Sequence, residues 1–402
     1  MSGGPLAGIR VLDLTTVQMG PWCTRILADY GADVIKVEAP GGDSSRYTGV
    51  PKHRGMSGTF QHNGRGKRSI AIDLKQQEAR DAILRLVPTV DALASNIRQA
   101  ALARLGLDYE SIRKLNPNIV YVSMVGYGSA GRYAGRPAYD DLIQAASAIP
   151  TLLQRSTGQP RFIPMAAIDR IVGGAAANAL LAGLLAKART GVGQMIEVPM
   201  FETMAQFVLS EHMQGQTFDP PTSPAGYPRT LSRSRRPYAS KDGFIAVLPY
   251  NDGQWKRFFE AVGKGQLLEN DPRFADITAR TANIDALYDM IADEIKNRTN
   301  AEWLTLLQEN DIPCMVPHTL ESLMEDPHLA DAGFFKWEDH PSEGRIRTMR
   351  EPSTWSETKP PTGRFAPRLG QHTREILAEA GLDTATIDNL IARKIVNTDG
   401  QS

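Results

Sequence analysis

Residues Ile171 to Ala186 consist almost wholly of Ala, Gly, Leu, Ile and Val, and no other stretch restricts the fold as much. As a helix, that run rises roughly 24 Å, short for a bilayer span. Its Gly/Ala content suits a buried helix packed closely on neighbouring backbone. Thr190-Gly191 predicts its end, and Gln194 to Val198 predicts a short strand. Asp169 stands at its head, the only acid between Asp141 and Glu197. That position predicts a helix N-cap accepting backbone N–H bonds near Val172. A helix N-terminus also stabilises an ionised carboxylate, the state a nucleophile needs.

The chain begins in a way that predicts a parallel sheet. Ile9 to Leu14 (IRVLDL) reads as a buried strand, Pro21 to Tyr30 as a helix and Asp33 to Glu38 (DVIKVE) as the next strand. Such a βαβ unit points to a doubly wound α/β domain. Further strands are expected at Ser69–Leu74, Val90–Ser95 and Ile119–Val125, with helices between them. In an open α/β sheet the ligand sits beyond the strand C-termini. The loops there hold Gln18, a basic segment, Asn96, Arg98 and Tyr139, so one ligand can touch them all. The basic segment, Ser44 to Ile72, has no acid but carries Arg46, Lys52, Arg54, Arg65, Lys67 and Arg68 among five glycines. It reads as a mobile, solvated loop, or as a phosphate site gripped by guanidinium groups.

Several function classes fall away. The first βα turn reads TTVQMGP rather than G-x-G-x-x-G, which argues against a dinucleotide fold despite Glu38 at the end of the second strand. No G-x-S-x-G elbow supports an α/β-hydrolase. The seven histidines show no H-x-x-x-H spacing and the two cysteines no C-x-x-C, so no metal is expected. Lys plus Arg equals Asp plus Glu at 45 each, which argues against a general nucleic-acid binder. Two cysteines and the lack of a basic-plus-apolar leader in MSGGPLAGIRVLDL predict a cytoplasmic protein in a reducing compartment, with no membrane partner.

With 402 residues, two or three domains are expected. The reading is a large Rossmann-like domain over 1–215, completed by 335–402. A Pro/Ser/Arg-rich linker over 216–240 leads to a smaller α/β domain over 241–330. In the smaller domain a strand is expected at Phe244–Leu248, with helices near Asp252–Val262, Thr278–Lys296 and Ala301–Gln308.

Taken together, the motifs resemble those of the class III CoA transferases, the family of formyl-CoA and carnitine CoA transferases. They are GIRVLDLT at 8–15, GADVIKVEAPGGD at 31–43, GKRSIAIDLK at 66–75, RPAYDDLIQAAS at 136–147, the Asp169 segment with TGVGQ at 190–194, DIPC at 311–314 and LGQHT at 369–373. Each piece alone is a weak signal; their order and spacing over the whole length make the set specific.

The resemblance implies that Asp169 is a nucleophile in a CoA exchange running through mixed anhydrides and an aspartyl-CoA thioester, with coenzyme A entering as acyl-CoA and no metal. It implies that Gln18, next to Val17, lies beside the reacting carbonyl. Ile72, Asp73, Leu74 and Lys75, with Asn96, Ile97 and Arg98, resemble segments lining the CoA nucleotide. Arg104 matches a phosphate-contacting arginine, and Tyr139 and Asp140 border the CoA. Ala39 stands where the formyl-CoA branch has an arginine, so Arg46 or Arg68 is expected to supply that grip. The glycine-rich flap of formyl-CoA transferase is missing, and with it the basis for expecting formyl or oxalate specificity. Arg229, Arg233, Arg235 and Arg236 stand in that region as candidate receivers of the far carboxylate of a dicarboxylic acid such as succinate. The family further implies a homodimer of interlinked chains acting on acyl-CoA and small carboxylic acids. The rival reading, an α-methylacyl-CoA racemase of the same fold, needs a histidine base where this chain has Tyr139; a phenol, with an ordinary pKa of about 10, is a poor α-proton base.

Overall fold

The computed structural model describes residues 3–267, 271–362 and 364–398. They form two compact units, one of Met1–Ile143, Pro164–Ala205 and His328–Ser402, the other of Gln144–Ile163 and Gln206–Pro327.

The first unit is built on a seven-stranded, mainly parallel sheet. Its strands are β1 (Arg10–Asp13), β2 (Asp33–Glu38), β3 (Lys67–Ile72), β4 (Ala92–Ser95), β5 (Val120–Val125) and β6 (Gln194–Pro199), with Val396–Asn397 added antiparallel to β3. The order runs from Val396–Asn397 through β3, β2, β1, β4 and β5 to β6. The chain therefore starts in the middle, winds out through β2 and β3, then returns to lay β4 against the other side of β1. The crevice beyond the C-terminal ends of β1 and β4 is the point where the winding reverses, the place where such sheets hold ligands.

The two faces of the β3–β2–β1 half differ in chemistry. One carries Leu12, Leu14, Ile35, Val37, Ile70 and Ile72, packed under the helix Gln77–Leu86 and the C-terminal helices that bring in Ile376, Leu377, Ile387 and Leu390. The opposite face carries Asp13, Lys36, Glu38 and Lys67, all buried. Strand register explains the clustering: Asp13 lies opposite Lys36, and Lys67 opposite Val34, so alternate residues of three strands project to one side. The first helix, Met19–Asp29, covers that side. Lys67 Nζ donates to Asp13 at 3.1 Å, to Thr24 at 2.7 Å and to the Pro21 carbonyl at 3.0 Å, while Thr24 donates to Asp13 at 2.7 Å. Burial pushes the Asp13 carboxyl up, but the ammonium groups of Lys67 and Lys36 and the Thr15 and Thr24 hydroxyls outweigh it and hold it below its ordinary value.

The segment 44–66 departs from the loop expected of it. Ser44–Tyr47 is a 3-10 turn and Gly58–Gly64 a helix capped by Ser57, whose side chain accepts the Phe60 N–H at 3.1 Å. Arg46 is 0% exposed, because its guanidinium is held in bidentate fashion by Glu38 at 2.6 and 2.7 Å and stacks over Phe60 at 3.7 Å. Arg68 is paired with Asp33, Glu375 and Glu379. Neither arginine is free to grip a phosphate, so that expectation fails: Glu38 at the end of β2 claims Arg46, and Asp33 with two acids of a C-terminal helix claims Arg68.

The apolar run forms a helix of 24 residues, Ala167–Thr190, longer than expected at both ends. By length and composition it is able to cross a membrane. In the first unit it packs along the helix Met19–Asp29 and across β5 and β6, burying Val172, Gly173, Ala176, Leu180, Gly183 and Leu184. Its other side, with Leu185 61% exposed, is open.

The second unit has three short antiparallel strands, Tyr238–Ala239, Phe244–Val247 and Cys314–Met315. They pack with the helices Asp252–Ala261, Ile284–Ile295 and Asn300–Glu309 around Trp255, Phe258, Phe259, Tyr288 and Trp303. Asn251 with Gln254 and Thr299 with Glu302 form capping boxes, which fix two helix starts close to where the sequence put them. The 216–240 stretch holds a short helix, Pro228–Leu231, and the strand Tyr238–Ala239.

Removing one member of a buried ion pair leaves its partner charged and unpaired. Lys67→Met is therefore expected to destabilise the first unit by about 3–5 kcal/mol, read as a lowered urea midpoint with the m-value unchanged.

Candidate functional site

Three loops converge at the winding reversal, and the charge cluster beneath the sheet shapes the first of them. Lys36 Nζ reaches past β1 to donate to the Thr15 carbonyl at 3.0 Å and to Asp43 at 2.9 Å. The Asp43 carboxylate in turn accepts the Val17 N–H, both oxygens at 3.2 Å. Val17 has φ +68°, a strained value for a β-branched residue, and that hydrogen bond holds it there. From the β4 side, Asn96 accepts from the Thr16 N–H and donates to the Thr16 carbonyl, each at 2.8 Å. A loop with no regular structure is thus gripped from both neighbouring strands.

This loop delivers Gln18 to the N-cap slot of the first helix without its side chain capping that helix. Instead, Gln18 Oε1 accepts from Asn63 Nδ2 at 2.8 Å. The long helix approaches the same corner. A Cβ on Gly173 would lie 2.5 Å from the Met19 carbonyl oxygen and 3.1 Å from the Trp22 ring, so only glycine permits this approach. One turn earlier, the Arg170 guanidinium stacks over Trp22 at 4.6 Å. Asp169 therefore starts the long helix beside the turn that carries Gln18.

Asp169 is not the N-cap the sequence suggested. The helix begins at Ala167 with Ala166 as its cap, which puts Asp169 in the first turn, where its own N–H donates to the Asp140 carboxylate at 2.9 Å. The helix end still favours a negative charge there, but burial and the adjacent Asp140 work against it. Burial first and Asp140 second push the Asp169 carboxyl up to about 6, with Arg170 opposing them. No described residue hydrogen-bonds to that carboxylate. It is half-buried, poorly solvated and at the edge of ionisation near neutral pH, the condition of a carboxylate held for reaction.

The remaining expected residues lie along the same sheet edge. Ile72 is buried at the end of β3; Asp73, Leu74 and Lys75 follow it, with Asp73 accepting the Lys75 N–H at 3.1 Å. Ile97 lies behind Asn96, and Arg98 and Arg104 are exposed at either end of the helix Gln99–Leu105. Tyr139 is 69% exposed just before the helix Asp140–Ala146. Lys75, Arg98 and Arg104 thus offer accessible cations at the edge where a phosphate-bearing ligand belongs. Arg229 belongs to the second unit, stacked over Tyr250 at 4.9 Å; Arg233, Arg235 and Arg236 are exposed there. A cavity of about 660 Å3 opens elsewhere in the first unit, walled by Trp337, Arg347, Trp355 and Arg65, and is lined by neither Asp169 nor Gln18. Asn63 and Asp43 escape a reading of the sequence, because each is one polar residue among several polar and glycine neighbours, with nothing local to announce its partner.

Comparisons with known proteins identify the family and the fold. The family model for CoA-transferase family III matches residues 6–373. A succinate–glutarate CoA-transferase of Agrobacterium fabrum is 33% identical, the match covering 93% of this chain and 95% of that protein. A succinyl-CoA:mesaconate CoA-transferase of Haloarcula hispanica is 32% identical over 95% of this chain and 98% of its own. Among solved structures, a CaiB/BaiF family protein from Brucella suis superposes with a TM-score of 0.78 at 31% identity, covering 94% of this chain and all of that one.

Because Asp140 is a like charge, Asp140→Asn is expected to lower the Asp169 pKa from about 6 toward its ordinary 3.8, while the amide oxygen still accepts the Asp169 N–H. Carboxyl carbon NMR titration of the two proteins reads this directly; an unmoved inflection would leave burial as the sole cause.

Proposed function

The chain belongs to CoA-transferase family III, and we propose that it exchanges CoA between acids through Asp169 as a covalent nucleophile. It is a CoA transferase, whose substrates are a CoA thioester and a carboxylic acid. The observation that carries the proposal is the half-buried Asp169 carboxylate, raised to about 6 and without a described hydrogen-bond partner, in the first turn of the helix that packs against the Met19 turn next to Gln18.

The exchange runs in four steps. The Asp169 carboxylate attacks the donor thioester carbon, giving an acyl–aspartyl anhydride and CoA thiolate. The thiolate attacks the aspartyl carbonyl of that anhydride, giving aspartyl-CoA thioester and the free donor acid. The acceptor carboxylate then attacks the aspartyl thioester, forming a second anhydride and releasing thiolate once more. The thiolate takes the new acyl group and Asp169 returns as carboxylate. Every intermediate remains activated, so no step has to expel a poor leaving group. Retaining CoA while the acids swap keeps each attack effectively unimolecular. An amide N–H of Gln18 serves the oxygen on which negative charge gathers in each addition.

Phosphates of CoA are assigned to the edge lined by Ile72–Lys75, Asn96–Arg98 and Arg104, with Tyr139 and Asp140 beside the thioester end. Asn96 serves there by holding the Thr16 backbone. For the acids, relatives named for succinate, glutarate and mesaconate support short dicarboxylates. The working unit is proposed to be a homodimer, interlinked as the family resemblance implies, in the cytoplasm. The apolar outer side of the long helix, with Leu185 61% exposed, and Val192, 62% exposed just past its end, support a second copy as the cover.

Incubation with succinyl-CoA, without acceptor, is expected to add a CoA- or succinyl-sized mass to the peptide holding Asp169. Asp169→Ala is expected to show no adduct and to lose roughly 10⁴-fold or more in kcat. An adduct elsewhere, or full turnover by the variant, would remove Asp169 from the chemistry. Leu185→Glu is expected to shift the wild-type dimer toward monomer in light scattering, and an unchanged mass would place the interface away from this helix.

A further inference from the structure

We infer that Asn63 is a positioning residue that fixes which end of the Gln18 amide faces the substrate; the inference rests on the transferase reading above. A glutamine amide is nearly symmetric in shape but not in polarity, so a reaction that gathers negative charge on oxygen needs the NH2 end turned toward it. Packing alone does not distinguish the two ends. A hydrogen-bond partner does.

Asn63 supplies that partner from a place where it has little freedom. It is 2% exposed, and its Nδ2 donates to Gln18 Oε1 at 2.8 Å. With Oε1 occupied, both Nε2 hydrogens of Gln18 remain for an acceptor outside. The opposite pairing, Gln18 Nε2 to Asn63 Oδ1, would leave the buried Asn63 NH2 without a partner. The pairing found leaves Asn63 Oδ1 as the unpaired atom instead. Unpaired buried donors are rarer than under-satisfied carbonyl oxygens, so the pairing found is the cheaper of the two.

The helix that carries Asn63 is itself anchored. Ser57, its cap, donates to the Ser45 carbonyl at 2.6 Å, and Phe60 lies under Arg46, which Glu38 holds from the end of β2. The same 38–46 segment supplies Asp43, which pins Val17. One short stretch of chain therefore sets both the backbone of Gln18, through Asp43, and its side-chain polarity, through Arg46 and Asn63. Burial, with the charges of Arg25, Arg65 and Arg170, pushes His62, the residue next to Asn63, down to about 4.

The test is a mutant cycle on kcat for CoA transfer from succinyl-CoA to glutarate in the full-length protein. Gln18→Ala is expected to cost roughly 10²–10³-fold, the loss typical of one oxyanion donor. Asn63→Ala is expected to cost about tenfold, the worth of a single lost hydrogen bond. Asn63→Asp accepts only, so it turns the Gln18 NH2 inward and is expected to cost as much as Gln18→Ala, with KM for succinyl-CoA little changed. In the Gln18→Ala background neither Asn63 change should reduce kcat further, since Asn63 acts only through Gln18. Losses that multiply across the two sites, or equal losses for Asn63→Ala and Asn63→Asp at matched melting temperature, overturn the positioning role. Should Asn63→Asp fail to fold, the cycle of Asn63→Ala with Gln18→Ala decides alone. Absence of an Asp169 adduct and of turnover in the unmodified protein would instead sink the proposed mechanism.

Discussion

Six buried charged side chains fix the geometry at the centre of the first unit. Asp13, Lys36, Glu38, Asp43, Arg46 and Lys67 sum to zero formal charge and are each paired inside the protein. A buried ionic cluster of this kind is a poor source of net stability compared with apolar packing, because the desolvation of each ion offsets most of the attraction. Its value is geometric. Each pair has one satisfactory arrangement, and an ion left unpaired is far more costly than a methyl group left loosely packed.

That geometry is spent on the loop after β1. The opposite sheet face, lined by leucine and isoleucine, carries the hydrophobic stabilisation of the unit. The charged face is free to reach upward through Lys36 and Asp43 and fix the Thr15–Val17 backbone in a strained turn. The long helix adds the second half of the site through a different device. Small residues let its backbone approach the first helix within contact of the Met19 carbonyl, and Asp169 arrives in a place where burial and Asp140 both raise its pKa. Rigid polar anchoring on one side and close apolar packing on the other bring two helix starts about 150 positions apart in the chain to one corner.

Much of this was legible in the residues. The strands at Asp33–Glu38 and Ile119–Val125 appear within a residue or two of their expected limits, because runs of Val and Ile between Gly- or Pro-marked turns leave few alternatives. The start of the Asp252–Ala261 helix was legible for another reason, a capping pair three residues apart. The basic stretch from Arg46 to Arg68 reads as a solvated loop or a phosphate site because local composition counts charges and not their partners. Glu38 lies eight residues before Arg46, whereas Glu375 and Glu379 lie some three hundred after Arg68. Asp169 stands out by its isolation at the head of an apolar run, but its helix starts three residues earlier than an N-cap at Asp169 implies, so its carboxylate is released from capping and lies near Asp140 instead.

The sequence by itself determined the parallel α/β class, the long small-residue helix and the family, since these rest on hydrophobic period, glycine placement and motif order, all of which are local or ordered along the chain. Only the tertiary structure decided which charges are buried, that Asp43 and Asn96 grip the Gln18 loop from opposite sides, and that Asn63 meets the Gln18 amide. Those are pairings between side chains of opposite polarity on different elements. Such a pairing leaves no period in either segment, and becomes specific only once the sheet register has excluded water and made every unpaired polar atom expensive.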